Sequence, residues 1–222
     1  MRFTLLFLLL LCFSVSVRAQ MEASIDLVGG LDYTYRSLLT SSDESHISTI
    51  LDNREKEYGK ASWHVGLHYN RRLSEHVVLR SGLRLSSLGF GRESSDLRWG
   101  SQHTGTGTFE PDSALPQRLR ASYNSWFVDV PIIGRREFGS GRWTHFVEIG
   151  LLPSVYIATQ TGPHRFHLAG LVSVGAQYTV SETYHLFGQP VFRYHLTPTA
   201  EGPIREHLYG VGMEVGVRRS LR

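Results

Sequence analysis

Apolar and polar residues alternate along eight segments of the chain, at about 23–36, 62–70, 77–90, 125–138, 143–157, 166–180, 184–196 and 207–219. In the second segment, for example, Trp63 and Val65 alternate with His64 and His68. A period of two residues predicts β-strands with one apolar and one polar face, and no segment sustains a helical period. The pattern therefore predicts an all-β protein with eight strands.

The segment from Ser125 to Phe138, SWFVDVPIIGRREF, illustrates the difference in polarity between the two faces. Val128 and Val130 fall on one face with their apolar neighbours, whereas Asp129 and Arg135 fall on the other. One face of this strand therefore suits an apolar medium, and the opposite face accepts charge.

The connections between the predicted strands alternate in length. Those at 71–76, 139–142 and 181–183 are short, whereas those at about 37–60 and 91–122 are long and polar. Aromatic residues of the apolar faces also gather at two levels, with Tyr33 and Trp63 near the long loops and Tyr69 and Trp143 near the short turns. Both features are typical of outer-membrane barrels. We predict an eight-stranded antiparallel up-and-down transmembrane β-barrel with short periplasmic turns and long extracellular loops.

The N-terminal residues predict export of the chain. Arg2 precedes an apolar run that ends near Cys12, and small residues lead to a cleavage site after Ala19. We predict a signal peptide at 1–19, a barrel domain at 20–222, and a bacterial outer-membrane location after cleavage near Ala19. The remaining chain lacks cysteine, and no stretch reaches the roughly 18 apolar residues that a membrane-spanning helix requires.

The polar faces predict a charged barrel interior. Inward acids at 26, 32, 129, 148 and 214 nearly balance inward arginines at 36, 80, 84, 135, 193 and 218. An eight-stranded barrel is just wide enough for its side chains to fill it. We predict a structural lumen network that contains Arg80, Arg84, Asp129, Arg135, Glu148, Arg193, Glu214 and Arg218. Inward glycines are expected to leave space for the long side chains.

Three stretches carry a family resemblance. FVDVPIIGR, FVEIGLLPSVYI and LVSVGAQYTV resemble consecutive strands of the PorT-like outer-membrane β-barrel family, with Glu148 and Gly150 matching its Glu and Gly positions. The resemblance covers the whole chain in layout and about three strands in motif. It implies a family in which one branch assists protein secretion and most members have no assigned activity.

The chemical motifs predict no enzyme, cofactor or metal site. His64 and His68 are about 13 Å apart on a strand, which is too far to share one ion. The stretch HTGTGTFE lacks a Walker lysine, and His46 and Ser48 lie in a predicted loop without rigid support. The near-neutral charge does not suggest a nucleic-acid partner. We predict a non-enzymatic outer-membrane protein that contacts lipid and binds a protein or surface ligand through loops 37–60 and 91–122, with an envelope or secretion-accessory role. The alternatives are a lipid A-modifying enzyme, through His46 and Ser48, and a narrow pore.

Overall fold

The computed structural model describes residues 22–40, 56–95, 100–102, 109–111, 118–157, 165–199 and 204–221. The predicted signal peptide, His46 and Ser48 lie outside these ranges. The described strands are β1 (Ala23–Thr40), β2 (Glu57–Arg72), β3 (Val77–Ser95), β4 (Gly100–Gln102), β5 (Phe109–Pro111), β6 (Arg118–Asp129), β7 (Ile132–Phe138), β8 (Trp143–Tyr156), β9 (Phe166–Thr179), β10 (Tyr184–His195) and β11 (Ile204–Leu221).

The main sheet closes on itself. Each wall strand pairs antiparallel with its neighbour in the chain, and β11 pairs antiparallel with β1 from Ala23↔Leu221 to Thr40↔Ile204. Both β6 and β7 pair with β3 on one side and with β8 on the other. Placed end to end, they form the fourth of the eight strands in the barrel wall. The prediction of an all-β, eight-stranded antiparallel barrel is confirmed.

The break between β6 and β7 falls at Val130 and Pro131. Proline has no backbone N–H group and cannot donate to the ladder. The wall nevertheless stays connected at this point, because the Val130 N–H donates to the Pro153 carbonyl at 2.8 Å. The predicted fourth strand is therefore one wall made of two hydrogen-bonded halves.

The strands extend further at the long-loop end than the alternation predicts. β1 continues to Thr40, β2 begins at Glu57, β3 continues to Ser95 and β6 begins at Arg118. These extensions occupy parts of the predicted loops 37–60 and 91–122. A short ribbon of β4 and β5 also lies within the second of them. Between Gly59 and Trp63 the pairing of β2 with β3 shifts register, which interrupts the simple alternation at this height.

The barrel has a polar inside and an apolar outside over its middle height. Alternate residues of β7 and β8 are buried and exposed, so that Glu148 is buried while Val147 and Ile149 are exposed. Leu31 and Ile149 have exposed fractions of 73% and 70%, although both are large and apolar. Among the described residues, no helix is long and apolar enough to cross a membrane.

Aromatic side chains of the outer face contact each other near both ends of the barrel. The rings of Trp63 and Trp126 meet edge to face at 5.3 Å at the long-loop end. At the short-turn end the rings of Trp143 and Tyr178 lie 4.9 Å apart. The residues between these two levels on the outer face are mainly Val, Leu and Ile, including Val147, Ile149 and Val172.

Candidate functional site

The eight residues of the predicted lumen network all lie inside the barrel. Arg80, Arg84, Asp129, Arg135, Glu148, Arg193, Glu214 and Arg218 are each at most 4% exposed. They come from β3, β6, β7, β8, β10 and β11. Alternation places each of them on the inner face of its strand, and closure of the sheet then brings these distant segments together.

Glu148 on β8 accepts hydrogen bonds from side chains of several other strands. Arg135 donates to it from β7 through Nε at 2.7 Å, and Arg80 donates through Nη1 at 3.0 Å. Ser173 and Gln189 donate to its other carboxylate oxygen at 3.0 and 2.9 Å. The buried charge is thus surrounded by donors, which buried carboxylates require.

Arg80 on β3 joins three carboxylates from three other strands. Its guanidinium lies 3.0 Å from Glu148, 3.0 Å from Glu214 and 3.6 Å from Asp26. The side-chain amide of Gln189 donates to Glu148 and to Glu214, both at 2.9 Å, and so bridges the two carboxylates next to Arg80. Arg80 is completely buried, and these three carboxylates compensate its charge.

A second group of charges lies nearer the long-loop end. The Nη2 of Arg193 is 2.7 Å from Asp32, and its Nη1 is 3.7 Å from Asp129. His64 faces Asp32 through Nδ1 at 2.8 Å and Glu214 through Nε2 at 3.1 Å. This group is therefore linked to the carboxylates around Arg80. Arg84 lies 3.8 Å from Asp129 and 3.6 Å from Glu214.

A third group lies nearer the short turns. Arg218 donates to both carboxylate oxygens of Asp26, at 2.9 and 3.2 Å, and to Glu137 at 3.1 Å. Arg72 reaches Glu137 from the other side, also at 3.1 Å. The ion pairs thus connect from Arg72 at the short-turn end through the middle of the barrel to Asp32 and Arg193.

Two phenylalanines occupy the interior beside these charges. The guanidinium carbon of Arg135 lies 3.9 Å from the ring centre of Phe146 and 5.0 Å from that of Phe187. Inward glycines make room for the rings, because a Cβ at Gly175 would stand 2.5 Å from Phe146 and one at Gly216 would stand 2.4 Å from Phe187. The sequence analysis did not single out these rings, although Phe146 shares the parity of Glu148.

The histidine pair of β2 does not form a shared site. His64 contacts Asp32 and Glu214, whereas neither ring nitrogen of His68 has a hydrogen-bond partner among the residues that the structure describes. Within the described part of the chain, no group of three or more His, Cys, Asp or Glu side chains could hold a metal ion. The structure therefore brings these two histidines into the interior but not onto a common ligand.

The barrel mouth carries a further charged group, of which the sequence analysis predicted Arg36 but not its partners. Arg36, which was predicted to face the lumen, lies at the long-loop end and donates to Glu57 at 2.9 Å and to Glu206 at 2.5 Å. Its guanidinium covers the Phe90 ring at 3.9 Å. Burial lowers the pKa of Arg36, but the two carboxylates raise it by more, so it lies above its ordinary value. Glu57 was missed because it falls within a predicted loop.

Cavities lie at both ends of the charged interior. One of about 960 Å³ at the mouth is bordered by Arg36, Phe90 and Glu206. Another of about 330 Å³ at the short-turn end is bordered by Ser24, His185 and Arg218. The fold and the interior thus define a closed antiparallel barrel with an apolar wall, a charged filling and an accessible mouth.

Known structures include small barrels that resemble this chain. Neisserial surface protein A (NspA) is 7% identical, with a TM-score of 0.49 over 89% of this chain and 96% of that chain. OprG, an outer membrane protein from Pseudomonas aeruginosa, is 8% identical, with a TM-score of 0.44 over 90% and 96%. The outer membrane protease OmpT from Escherichia coli is 9% identical, with a TM-score of 0.43 over 94% and 99%.

Similarity at this level does not identify a function. No protein-family model matches the chain. No curated protein sequence matches it either.

Proposed function

We propose that this protein is an integral outer-membrane β-barrel whose interior is a structural charge network rather than an active site or a channel. The observation that carries the proposal is the inverted distribution of side chains. Val147 and Ile149 lie on the outside of a closed sheet while Glu148, between them, is buried inside. A continuous exposed apolar band is unfavourable in water but suits the hydrocarbon core of a membrane.

The strand lengths and aromatic levels support the same proposal. The eight walls are longer than the ~9–11 tilted residues that cross a bilayer. Trp63 and Trp126 at one level and Trp143 at the other fit two membrane interfaces, where amphipathic rings are stabilised. The short-turn end would then face the periplasm and the extended strands would face outward.

The chemistry of the interior supports a non-enzymatic role. The buried acids Asp26, Asp32, Asp129, Glu137, Glu148 and Glu214 nearly balance the buried arginines Arg80, Arg84, Arg135, Arg193 and Arg218. Such a filled interior favours mechanical stability over conduction, which argues against the narrow pore. His46 and Ser48, the pair proposed for lipid A modification, lie outside the described residues. The described part of the chain contributes nothing in favour of that enzyme.

We further propose that recognition occurs at the outward end. The mouth cavity, the extensions of β1, β2, β3 and β6, and the connections within 37–60 and 91–122 form the part available to a protein or surface ligand. The motif resemblance to PorT-like barrels favours an envelope or secretion-accessory role. The export signal at 1–19 and the barrel domain at 20–222 belong to this proposal.

Cysteine accessibility on intact cells tests the location and the orientation. Single cysteines at Ser42 or Ser113, in the long connections, should react with a membrane-impermeant thiol reagent. Cysteines at Ser74 or Ser140, in the short turns, should react only after the outer membrane is opened. The reverse pattern would contradict the orientation. Equal labelling of all four positions in a soluble fraction would contradict the membrane location.

A further inference from the structure

The mouth cavity extends around the edge of one strand of the barrel wall, from the inside of the barrel to its outer face. Arg36 and Phe90 border it from inside the barrel, whereas Trp126 and Ile157 border it from the outer face. On β6, the five consecutive residues Ser122–Trp126 all line the cavity, although their side chains alternate between the two faces. A single cavity can contact both faces of a strand only where the wall beside that strand is open.

The pairing of β6 shows where the wall opens. β6 pairs with β8 only over three residues, from Phe127↔Tyr156 to Asp129↔Ser154. The last bond across this seam joins the Ile157 N–H to the Trp126 carbonyl at 2.9 Å. Beyond it, β6 continues to Arg118 along β3, and no described residue pairs with its other edge. The opening therefore lies between the outward half of β6 and the end of β8.

The inner end of the cavity carries a guanidinium that bonds to no carboxylate among the described residues. Arg92 on β3 lines the cavity, is half-buried, and makes no hydrogen bond or ion pair with the described residues. Arg36 differs, because it is already bonded to Glu57 and Glu206. Within the described part of the chain, the two guanidinium groups and the two carboxylates of this end balance, and Arg92 is the one that has N–H groups left to donate. Lys60 does not belong to this end, because it donates to Ser122 and Asn124, which share the outer face of β6 with Trp126; the Ser122 bond is 2.9 Å long. The free N–H donors of Arg92 therefore offer hydrogen bonds to a single anionic group.

The outer side of the cavity is polar near the mouth, at Ser122 and Asn124, and apolar at the level of the outward aromatic residues. Trp126 packs against Trp63 at 5.3 Å, and Ile157 is 49% exposed on the outer face. Between the two ends, the Tyr123 ring stacks on Phe90 at 5.0 Å. The surface thus changes from charged inside the barrel to apolar beside Trp126 and Ile157.

We propose that this cavity binds one single-chain anionic amphiphile taken from the surrounding leaflet. The carboxylate or phosphate head lies against Arg92, and the acyl chain leaves through the opening over Trp126 and Ile157. A volume of about 960 Å³ is sufficient for such a ligand. The inference rests on the proposed membrane location, because an apolar exit through the wall has a use only where lipid surrounds the barrel.

Native mass spectrometry of the purified barrel released from micelles tests this site with palmitate as the probe. The parent protein should retain one palmitate. Arg92→Gln should weaken binding about ten- to a hundredfold, because a charged hydrogen-bond partner is lost. Hexadecanol, which has the same chain without the charge, should bind the parent correspondingly more weakly. Ser122→Trp should also lose the adduct, because the indole fills the cavity.

Arg120→Gln is the matched control, since Arg120 lies on the exposed face of β6 and pairs with Glu93 at 3.0 Å. It should retain palmitate as the parent does. Equal retention by Arg92→Gln and the parent would overturn the proposal. Displacement of palmitate by inorganic phosphate or butyrate at the same concentration would indicate a soluble-anion site instead. All variants should keep heat-modifiable migration on gels, so a negative binding result leaves the proposed membrane barrel intact.

Discussion

Replacing Arg80 with methionine should destabilise the barrel by about 3–5 kcal/mol, because it leaves buried carboxylates without their shared cation. Arg80 is completely buried and contacts Asp26, Glu148 and Glu214. Methionine retains much of the apolar stem, so packing alone does not explain a loss of this size. Urea unfolding in detergent micelles, followed by heat-modifiable gel migration, measures the change.

Two further variants separate charge from packing. Arg136→Met changes an exposed arginine on β7 and should shift the free energy of unfolding by less than about 1 kcal/mol. Adding Glu214→Gln to Arg80→Met should recover part of the lost stability, because it removes one of the unpaired charges. If Arg80→Met unfolds at the same urea concentration as the parent, the network does not stabilise the barrel.

Placing an arginine on the outer face should also have a large effect. Val174→Arg should cost about 2–4 kcal/mol, because Val174 is 56% exposed at mid-height and a guanidinium at the bilayer midplane is poorly solvated. Val130→Arg should lower the stability by a similar amount, because Val130 also lies on the outer face and is 41% exposed. Unfolding from lipid bilayers, rather than from micelles, is the appropriate measurement.

Ser140→Arg is the control for these outer-face variants. Ser140 is exposed in the short turn between β7 and β8, so an arginine there can reach water and should be tolerated. If Val174→Arg and Val130→Arg are as stable as Ser140→Arg in a bilayer, those positions do not face the hydrocarbon core.

Alternation predicted the strands in the middle of the barrel and divided their residues between two faces. Side chains alternate between the two faces of a strand. Once Glu148 is assigned to the interior and Val147 to the exterior, the face of each remaining residue in that strand is therefore fixed. Connection lengths then gave the up-and-down order. This is why the eight wall strands and the inward position of Arg80 could be predicted without structural information.

The extended strand ends were harder to predict from the sequence. Near the mouth, both faces of the wall carry polar residues, so alternation no longer distinguishes strand from loop. The register shift between Gly59 and Trp63 also interrupts the period. For these reasons Glu57 and Arg118 were assigned to loops, although they begin β2 and β6.

The partners within the network could not be predicted from the sequence either. Inward parity shows that Arg80 and Glu214 face the same interior, but the pair lies on β3 and β11, 134 residues apart. Which charges meet across a barrel depends on its stagger and on the space left by glycines such as Gly216. Neither quantity is encoded in the local pattern.

Depth-dependent quenching of tryptophan fluorescence by brominated lipids tests the membrane-spanning barrel most directly. The chain has four tryptophans, so single-tryptophan variants would retain either Trp126 or Trp143. In bilayers brominated near the headgroups, both should be quenched more strongly than in bilayers brominated near the acyl-chain ends, because the two residues lie at opposite interfaces. Absence of quenching at either residue, or stronger quenching by the deep bromines, would contradict a barrel that spans the membrane between these two levels.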